Sequence, residues 1–144
     1  MSVSGYHGRY LVVQLDDLGQ SRHELLSEET LRQFLGGSGL GAHILLELDA
    51  PKQEAENGPL AFVFSPLVGS PLTTSAKFAV VSRSPLTQRF NDALASSGFA
   101  IAGKATGFDA IVLVGAANKP SVLCLLYTSP SPRDQRGSRM PSSA

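Results

Sequence analysis

The chain has little cysteine and no long apolar run. Its 144 residues include one cysteine, Cys124, so the sequence contains neither a disulfide framework nor a metal site built from several cysteines. No apolar run reaches the roughly 18 residues that a membrane span needs. The first nine residues lack the basic-then-apolar order of a secretory signal peptide. We therefore expect a cytoplasmic protein with no membrane partner.

The chain also lacks an excess of charge of either sign. Lysine and arginine number 12, aspartate and glutamate also number 12, and no basic cluster stands out before residue 124. Nucleic acid is therefore not an expected partner, because such proteins carry a basic patch or stripe. A hydrophobic fraction of 42% with 17% charged residues indicates a globular chain. The length suits one domain.

The last 21 residues, 124–144, differ in composition from the rest. A proline- and serine-rich disordered linker is one interpretation. Back-translation, however, matches residues 124–134 to a transposase-type sequencing adapter and residues 138–144 to the flow-cell end of such an adapter. The order and spacing of the two matches also agree. We therefore predict that 124–144 is a translated adapter rather than native protein, and we interpret fold and function from residues 1–123.

Hydrophobic periodicity and turn residues predict an α+β domain with more strands than helices. Ser27 followed by two glutamates predicts a capped helix that ends at the glycine pair after Leu35. A second helix is predicted over 39–48, and a third in the second half of 95–106. Predicted strands cover 10–15, its hairpin partner 21–26, 60–64, 77–83, 110–114, and a last one that begins at Ser121.

The sequence offers few candidates for catalysis. The glycine run 36–41 could cradle a phosphate, but it lies between two predicted helices, whereas a dinucleotide-binding turn follows a strand. A tight helix–helix junction is the better interpretation. The histidines, His7, His23 and His43, lack metal-ligand spacing. We predict no catalytic and no metal-ligating residues in this chain.

Two segments have the composition of ligand-binding loops. Residues 73–77 place three hydroxyl side chains and Lys77 at the start of a strand, and residues 91–98 place small side chains before a helix. Such loops allow the backbone to approach a large anionic ligand closely. Ordinary solvated turns would have the same composition, so the composition alone leaves both readings open.

The order of short motifs resembles the N-terminal domain of the aldehyde ferredoxin oxidoreductase family. The resemblance spans residues 4–123. The matching segments are 5–11, the glycine-rich 34–41, Glu56-Asn57, 65–70, 84–87, Lys104 with 107–112, and Lys119-Pro120. In that family two sheets form a platform for a tungsten or molybdenum bis-pterin cofactor. The implied reaction is oxidation of an aldehyde to a carboxylic acid, with electrons passing through a [4Fe-4S] cluster to a ferredoxin-type acceptor.

The resemblance implies cofactor-binding roles for Lys77, Ser96 and Ser97. Lys77 stands where the family has an arginine that contacts the pterin, so the charge remains while the planar fork is lost. Ser96 and Ser97 stand where the family has a glycine pair, and Leu94 replaces an asparagine. Ser38 replaces an arginine that is common in the glycine-rich turn.

The resemblance also implies that most of the enzyme lies outside this chain. The cluster cysteines, the second pterin-binding segment, the substrate pocket and the C-terminal domains would follow Leu123, so we expect the fragment alone to be inactive and only marginally stable. The alternative function is a non-catalytic binding or subunit-interaction module with the same platform fold. The substitutions at Lys77, Leu94 and Ser96 favour that alternative.

Overall fold

The computed structural model of the chain describes residues 4–17, 20–50, 54–55 and 57–124. Within these ranges the chain forms six strands and three α-helices. The strands are β1 (Arg9–Gln14), β2 (Arg22–Leu25), β3 (Leu60–Phe64), β4 (Lys77–Arg83), β5 (Phe90–Ser96) and β6 (Ala110–Val114). The helices are α1 (Glu28–Phe34), α2 (Gly37–Glu47) and α3 (Gly98–Ala105).

All six strands belong to one mixed sheet with the order β2-β1-β6-β3-β4-β5. Only β1 and β6 pair in parallel, with Leu11 opposite Ile111. The other neighbours are antiparallel. This arrangement confirms the predicted α+β class. The described residues nevertheless form a single sheet, whereas the resemblance implied two.

Local sequence signals account for the start and end of α1. The Ser27 side chain accepts a hydrogen bond from the backbone N–H of Thr30 at 3.0 Å, which satisfies one of the free amides at the helix start. Glu28 and Glu29 occupy the first turn, where negative charge complements the helix dipole. Leu35 ends the helix with a φ of 53°. The predicted cap is therefore confirmed.

The glycine run joins α1 to α2 and brings α2 close to the sheet. Gly36 and Gly37 have φ angles of 147° and 57°, which side chains rarely tolerate. A Cβ atom on Gly41 would lie 2.4 Å from Cγ2 of Val81, so only glycine permits this approach of helix to strand. The predicted helix–helix junction is confirmed.

The core lies on both faces of the sheet. On one face, α1 and α2 bury Leu31, Leu40 and Ile44 against alternate residues of the central strands. On the other face, Phe99 of α3 packs with Phe64 and neighbouring aromatic side chains. Successive residues of the central strands point to opposite faces of the sheet, so they contribute to two separate apolar clusters.

Two of the predicted elements are wrong. The segment 91–98 was expected to be a loop ahead of a helix, but its residues 91–96 belong to β5, because they pair with β4 even though every β5 residue is exposed. The strand expected to begin at Ser121 is not present in the described residues 121–124. Residues 121–124 adopt neither helix nor strand, and Val122 is 92% exposed. This segment lines a cavity with Val13 and Leu113 instead of lying beside another strand.

Candidate functional site

Lys77 and Ser96 lie directly opposite each other at one end of the β4–β5 ladder. Lys77 is the first residue of β4, Ser96 is the last residue of β5, and the two are register partners. Directly opposed residues of antiparallel strands point to the same face. Both side chains are exposed. The sheet therefore brings together two residues that are 19 positions apart in the sequence.

Ser97 follows at once and begins α3. Its backbone is extended, with φ −167° and ψ 174°, and its side-chain oxygen accepts a hydrogen bond from the N–H of Phe99 at 3.1 Å. The hydroxyl proton remains able to donate to a ligand. Because the Phe99 ring lies against Phe62 and Phe78, the start of α3 is held firmly. The structure thus places all three predicted residues at one corner of the sheet.

The backbone of β5 adds further hydrogen-bonding groups to this corner. β5 is the last strand of the sheet, so its outer edge has no strand partner among the described residues. An edge strand presents a row of N–H and C=O groups. Together with the Lys77 ammonium and two serine hydroxyls, this edge can bind an extended anionic ligand.

The loop before β4 lies beside the same corner. Lys77 donates its backbone N–H to the Ser75 carbonyl at 2.7 Å, and its own carbonyl accepts from the N–H of Ser65 at 3.0 Å. Thr73 and Thr74 are exposed, and Thr74 has a φ of 60°. The first of the two predicted ligand-binding segments therefore is a loop, and it closes tightly onto Lys77.

A hydrogen bond between Ser38 and Asp92 ties α2 to β5. The Ser38 hydroxyl donates to Oδ2 of Asp92 at 2.5 Å. The N-cap residue of α2, Gly36, has no side chain to cap the helix, so a carboxylate near the helix start is electrostatically favourable. Sequence patterns do not link the two residues, because they are 54 positions apart.

A buried charged cluster was missed by sequence reasoning. The Asp109 side chain is fully buried, accepts from the backbone N–H groups of His7 and Gly8 at 2.7–3.1 Å, and contacts Nζ of Lys104 at 2.5 Å. His7 Nε2 also lies 3.0 Å from the Lys104 carbonyl. The sequence signal that could have revealed this cluster is the presence of Lys104 and Asp109 inside the otherwise apolar segment 99–114.

The cluster also affects a neighbouring tyrosine. Burial raises the pKa of the Tyr6 hydroxyl above its ordinary value, and the negative charge of Asp109 raises it further. The Lys104 ammonium lies 5.6 Å from the centre of the Tyr6 ring. The Tyr6 hydroxyl hydrogen-bonds to the Leu35 carbonyl. The N-terminal segment is thus fastened both to the turn after α3 and to the end of α1.

Other kinds of site are not found in the described ranges. Those residues contain no group of three or more histidine, cysteine, aspartate or glutamate side chains that could hold a metal ion. Cys124 is an exposed free thiol. No helix there is long and apolar enough to cross a membrane.

Comparison with known proteins identifies the family. The sequence model described as "Aldehyde ferredoxin oxidoreductase, N-terminal domain" matches residues 10–129. The chain belongs to the aldehyde ferredoxin oxidoreductase family. This membership confirms the resemblance from which roles for Lys77, Ser96 and Ser97 were inferred, whereas the roles themselves stay predictions.

Two relatives come from species of Pyrococcus. The tungsten-containing aldehyde ferredoxin oxidoreductase of Pyrococcus abyssi is 36% identical over 123 residues, which are 83% of this chain and 20% of the relative. The aliphatic sulfonate oxidoreductase, WOR-like subunit, of Pyrococcus furiosus is 33% identical over 82% of this chain and 19% of its own length. The chain thus spans about a fifth of the length of the family members it matches.

A solved structure has the same fold. The active site complex BamBC of benzoyl coenzyme A reductase, in complex with 1,5-dienoyl-CoA, superposes with a TM-score of 0.72 and 26% sequence identity. The match covers 81% of this chain and 18% of that chain. That larger chain therefore contains a unit with the same fold as this chain.

Proposed function

We propose that this chain is the cofactor platform of a larger oxidoreductase that oxidises aldehydes or related substrates to carboxylic acids. In the proposed parent, a bound tungsten or molybdenum bis-pterin would supply the two-electron chemistry, and a [4Fe-4S] cluster would supply the electron route to a ferredoxin-type acceptor. The observation that carries the proposal is the convergence of Lys77, Ser96 and Ser97 at one corner of the sheet, in a chain of this family.

The corner fits the pterin part of such a cofactor. A pterin cofactor is large, polar and anionic, and it needs cations, hydroxyl groups and backbone amides as partners. Lys77 supplies a charge that no ion pair with another described residue neutralises. Ser96 and Ser97 supply hydroxyl donors, and the open edge of β5 supplies amides. These residues would bind and orient the cofactor, whose own chemistry moves the electrons.

The iron–sulfur cluster does not fit this chain. A [4Fe-4S] cluster is held by four cysteine thiolates, and the sequence contains only Cys124. We therefore assign the cluster, the substrate pocket and the acceptor surface to the C-terminal domains of the proposed parent. The chain alone is expected to be inactive, and a cytoplasmic location is part of the same proposal.

We propose that residues outside this platform determine which substrate the parent protein uses. The matched proteins carry names that refer to an aldehyde, an aliphatic sulfonate and a benzoyl coenzyme A substrate, although they share this unit. A platform that holds the cofactor from the side opposite the substrate would be compatible with all three. Aldehydes are the substrate class we propose, since the tungsten-containing aldehyde ferredoxin oxidoreductase of Pyrococcus abyssi is 36% identical to this chain and the aliphatic sulfonate oxidoreductase subunit is 33% identical.

A second candidate function is a non-catalytic binding or subunit-interaction module. It is favoured by Leu94, which is 72% exposed on β5 two residues before Ser96. An apolar side chain beside the proposed cofactor corner suits a protein contact better than a polar ligand. This alternative predicts a full-length protein that folds without tungsten, molybdenum or iron.

Sequencing the source locus across the codon for Leu123 is the first test. We expect the reading frame to continue into further domains with a cysteine cluster signature, and residues 124–144 to be absent from the genome. The family match extends to residue 129, whereas the predicted adapter begins at residue 124. The genomic codons for 124–129 therefore decide whether these residues are native protein or adapter. A frame that lacks those cysteines would favour the non-catalytic module.

The second test uses the full-length protein. Purified protein is expected to contain tungsten or molybdenum and iron, to release a fluorescent pterin after oxidative denaturation, and to reduce a viologen dye with an aldehyde. The 144-residue chain measured in parallel is expected to show no aldehyde-dependent dye reduction. Aldehyde oxidation by that chain alone would contradict the assignment of the catalytic machinery to other domains.

A further inference from the structure

A polar cavity lies at the opposite edge of the sheet from β5. It has a volume of about 320 Å³ and is lined by parts of β1, β2, α1 and α2. Its polar lining includes Tyr10, Glu24, His43 and Glu47. Nothing in the proposed cofactor role uses these residues, so the cavity has no assigned function.

Tyr10 provides this cavity with a hydroxyl group that a ligand could bind. Its side chain lies in the core, where the residue is only 6% exposed, yet its hydroxyl makes no hydrogen bond to any residue that the structure describes. No fully buried side-chain oxygen or nitrogen in the described ranges lacks a partner, so the Tyr10 oxygen must open onto the cavity. The hydroxyl is therefore accessible from the cavity, where it can hydrogen-bond to water or to a bound ligand.

The charge around this hydroxyl is negative. Burial raises the Tyr10 pKa above its ordinary value, and the carboxylates of Glu24 and Glu47 raise it further, with Arg22 acting in the opposite direction. Glu24 is paired with Arg22 at 2.7 Å. Glu47 has no ion-pair partner among the described residues, and it therefore leaves one negative charge uncompensated at the cavity.

The position of Glu47 strengthens this negative field. Glu47 is the last residue of α2, and the last turn of this helix contains no basic side chain. The C-terminal end of a helix carries a partial negative charge, which favours cations and disfavours carboxylates. Glu47 is exposed, so solvent screens its charge, and a cation bound beside it would offset its unfavourable interaction with the helix end.

The lining favours an organic cation over a metal ion. The described residues contain no set of three or more ligating side chains suited to a metal, and His43 is occupied in stacking on Phe34, with ring centres 4.6 Å apart. A primary ammonium group has three N–H donors and needs only acceptor oxygens in a negative field. The carboxylate of Glu47 and the phenol oxygen of Tyr10 are such acceptors.

We propose that this cavity binds a primary ammonium group, with Glu47 as its counter-ion and Tyr10 as a hydrogen-bond acceptor. The ammonium can belong to a small free amine or to a lysine side chain of a bound protein, and both sources share the chemistry that the cavity recognises. The inference is independent of the proposed cofactor role, because cavity and cofactor corner lie at opposite edges of the sheet.

The test measures binding of two amines to the full chain by calorimetry and by NMR of the His43 ring. The probes are n-butylammonium and Nα-acetyl-lysine methylamide, and neutral n-butanol is the control of matched size. We expect saturable binding of at least one amine and none of n-butanol. The amine that binds identifies the source as a free amine or a lysine side chain.

Variants separate the site from a general surface effect. Glu47→Gln removes only the charge and is expected to weaken amine binding about tenfold, and Tyr10→Phe is expected to weaken it by a similar factor. Glu29→Gln, which removes a negative charge on α1 away from the cavity lining, is expected to change nothing. Thermal unfolding checks that each variant folds. If Tyr10→Phe does not fold, Glu47→Gln at the helix end is sufficient to test the site.

Three results would overturn the inference. They are the absence of saturable binding by both amines, equal binding of n-butanol, and equal weakening by Glu29→Gln and Glu47→Gln. None of these measurements depends on a metal or a pterin, so they leave the proposed cofactor role untouched. Conversely, a full-length protein without tungsten, molybdenum or iron would refute the cofactor role and not this site.

Discussion

Lys104 and Asp109 form an ion pair inside the protein, with 2.5 Å between Nζ and Oδ1. The pair joins the last turn of α3 to the start of β6, and Asp109 also holds the backbone of His7 and Gly8. At its other end, α3 begins at Ser97 in the candidate cofactor corner. The buried pair therefore fixes the helix that positions one of the proposed cofactor residues.

Asp109→Asn is expected to lower the free energy of unfolding by about 3–5 kcal/mol, because it leaves the Lys104 charge buried without a partner. The amide nitrogen of asparagine would also face backbone N–H groups that need an acceptor. Urea denaturation measures the loss. Glu24→Gln, which breaks the exposed Arg22–Glu24 pair, is the control, with an expected loss below about 1 kcal/mol. Equal losses in the two variants would contradict the importance of the buried pair.

The elements that could be predicted from sequence are those with buried apolar runs. The strands at 60–64, 77–83 and 110–114 have the predicted bounds, since their alternating residues enter the two core clusters. β5 could not be predicted, because none of its side chains is buried and its strand conformation comes from pairing with β4.

Sequence patterns could not predict which distant parts of the chain lie together. Asp109 binds the backbone of His7 across 102 positions, and Tyr10 and Glu47 line the same cavity. The proposed cofactor residues were found only through the family resemblance. Their convergence depends on the β4–β5 register, which composition does not specify.

Gly103→Ala is expected to destabilise the fold by about 1–3 kcal/mol through overpacking. A Cβ at this position would lie 2.1 Å from Cζ of Phe64, whose ring is buried. The same change at Gly98, also in α3, meets nothing within 4 Å and is expected to be neutral or stabilising by up to about 1 kcal/mol. Thermal unfolding of the two variants measures the difference. A Gly103→Ala protein as stable as Gly98→Ala would show that α3 can move away from the sheet.

Tyr10→Phe is expected to reduce the loss of stability in alkali. The Tyr10 pKa is raised above its ordinary value of 10.0, so above about pH 10 the unfolded chain releases this proton first, and stability falls as the pH rises. Without the hydroxyl, that part of the fall disappears. Urea denaturation from neutral pH to beyond pH 10 measures the slope, and an unchanged slope would contradict the shift.

Tyr6→Phe provides the matched comparison. The Tyr6 pKa is also raised, so this variant should flatten the alkaline slope as well. At neutral pH it should lose about 0.5–1.5 kcal/mol with its hydrogen bond to Leu35, whereas Tyr10→Phe has no hydrogen bond within the described residues to lose. Equal losses at neutral pH would show that the Tyr10 hydroxyl is already satisfied.

Leu94→Lys is expected to reduce self-association of the 144-residue chain. Leu94 is 72% exposed on the edge strand β5, and an exposed apolar edge strand promotes strand pairing between molecules. Sedimentation velocity over a range of concentrations measures association. Leu86→Lys changes a residue that is 91% exposed in a turn outside the strands and should have no such effect. A chain that is monomeric throughout would show that β5 is protected without its proposed neighbouring domains.

Lys77→Ala is expected to reduce cofactor retention in the full-length protein at least about tenfold, because it removes the cation of the proposed corner. Lys77→Arg should retain the cofactor, since a guanidinium restores the planar fork that binds anions in a bidentate manner. Tungsten, molybdenum and pterin content per protein measure retention directly, without relying on activity.

Lys119→Ala supplies the matched control for the Lys77 variants. Lys119 is exposed and lies in the segment after β6, away from the β4–β5 corner, so its loss should leave metal and pterin content unchanged. A similar reduction in both alanine variants would point to a general effect of surface charge. If Lys77→Ala retains the cofactor fully, Ser96, Ser97 and the β5 backbone must hold it without a cation, and the proposed role of Lys77 fails.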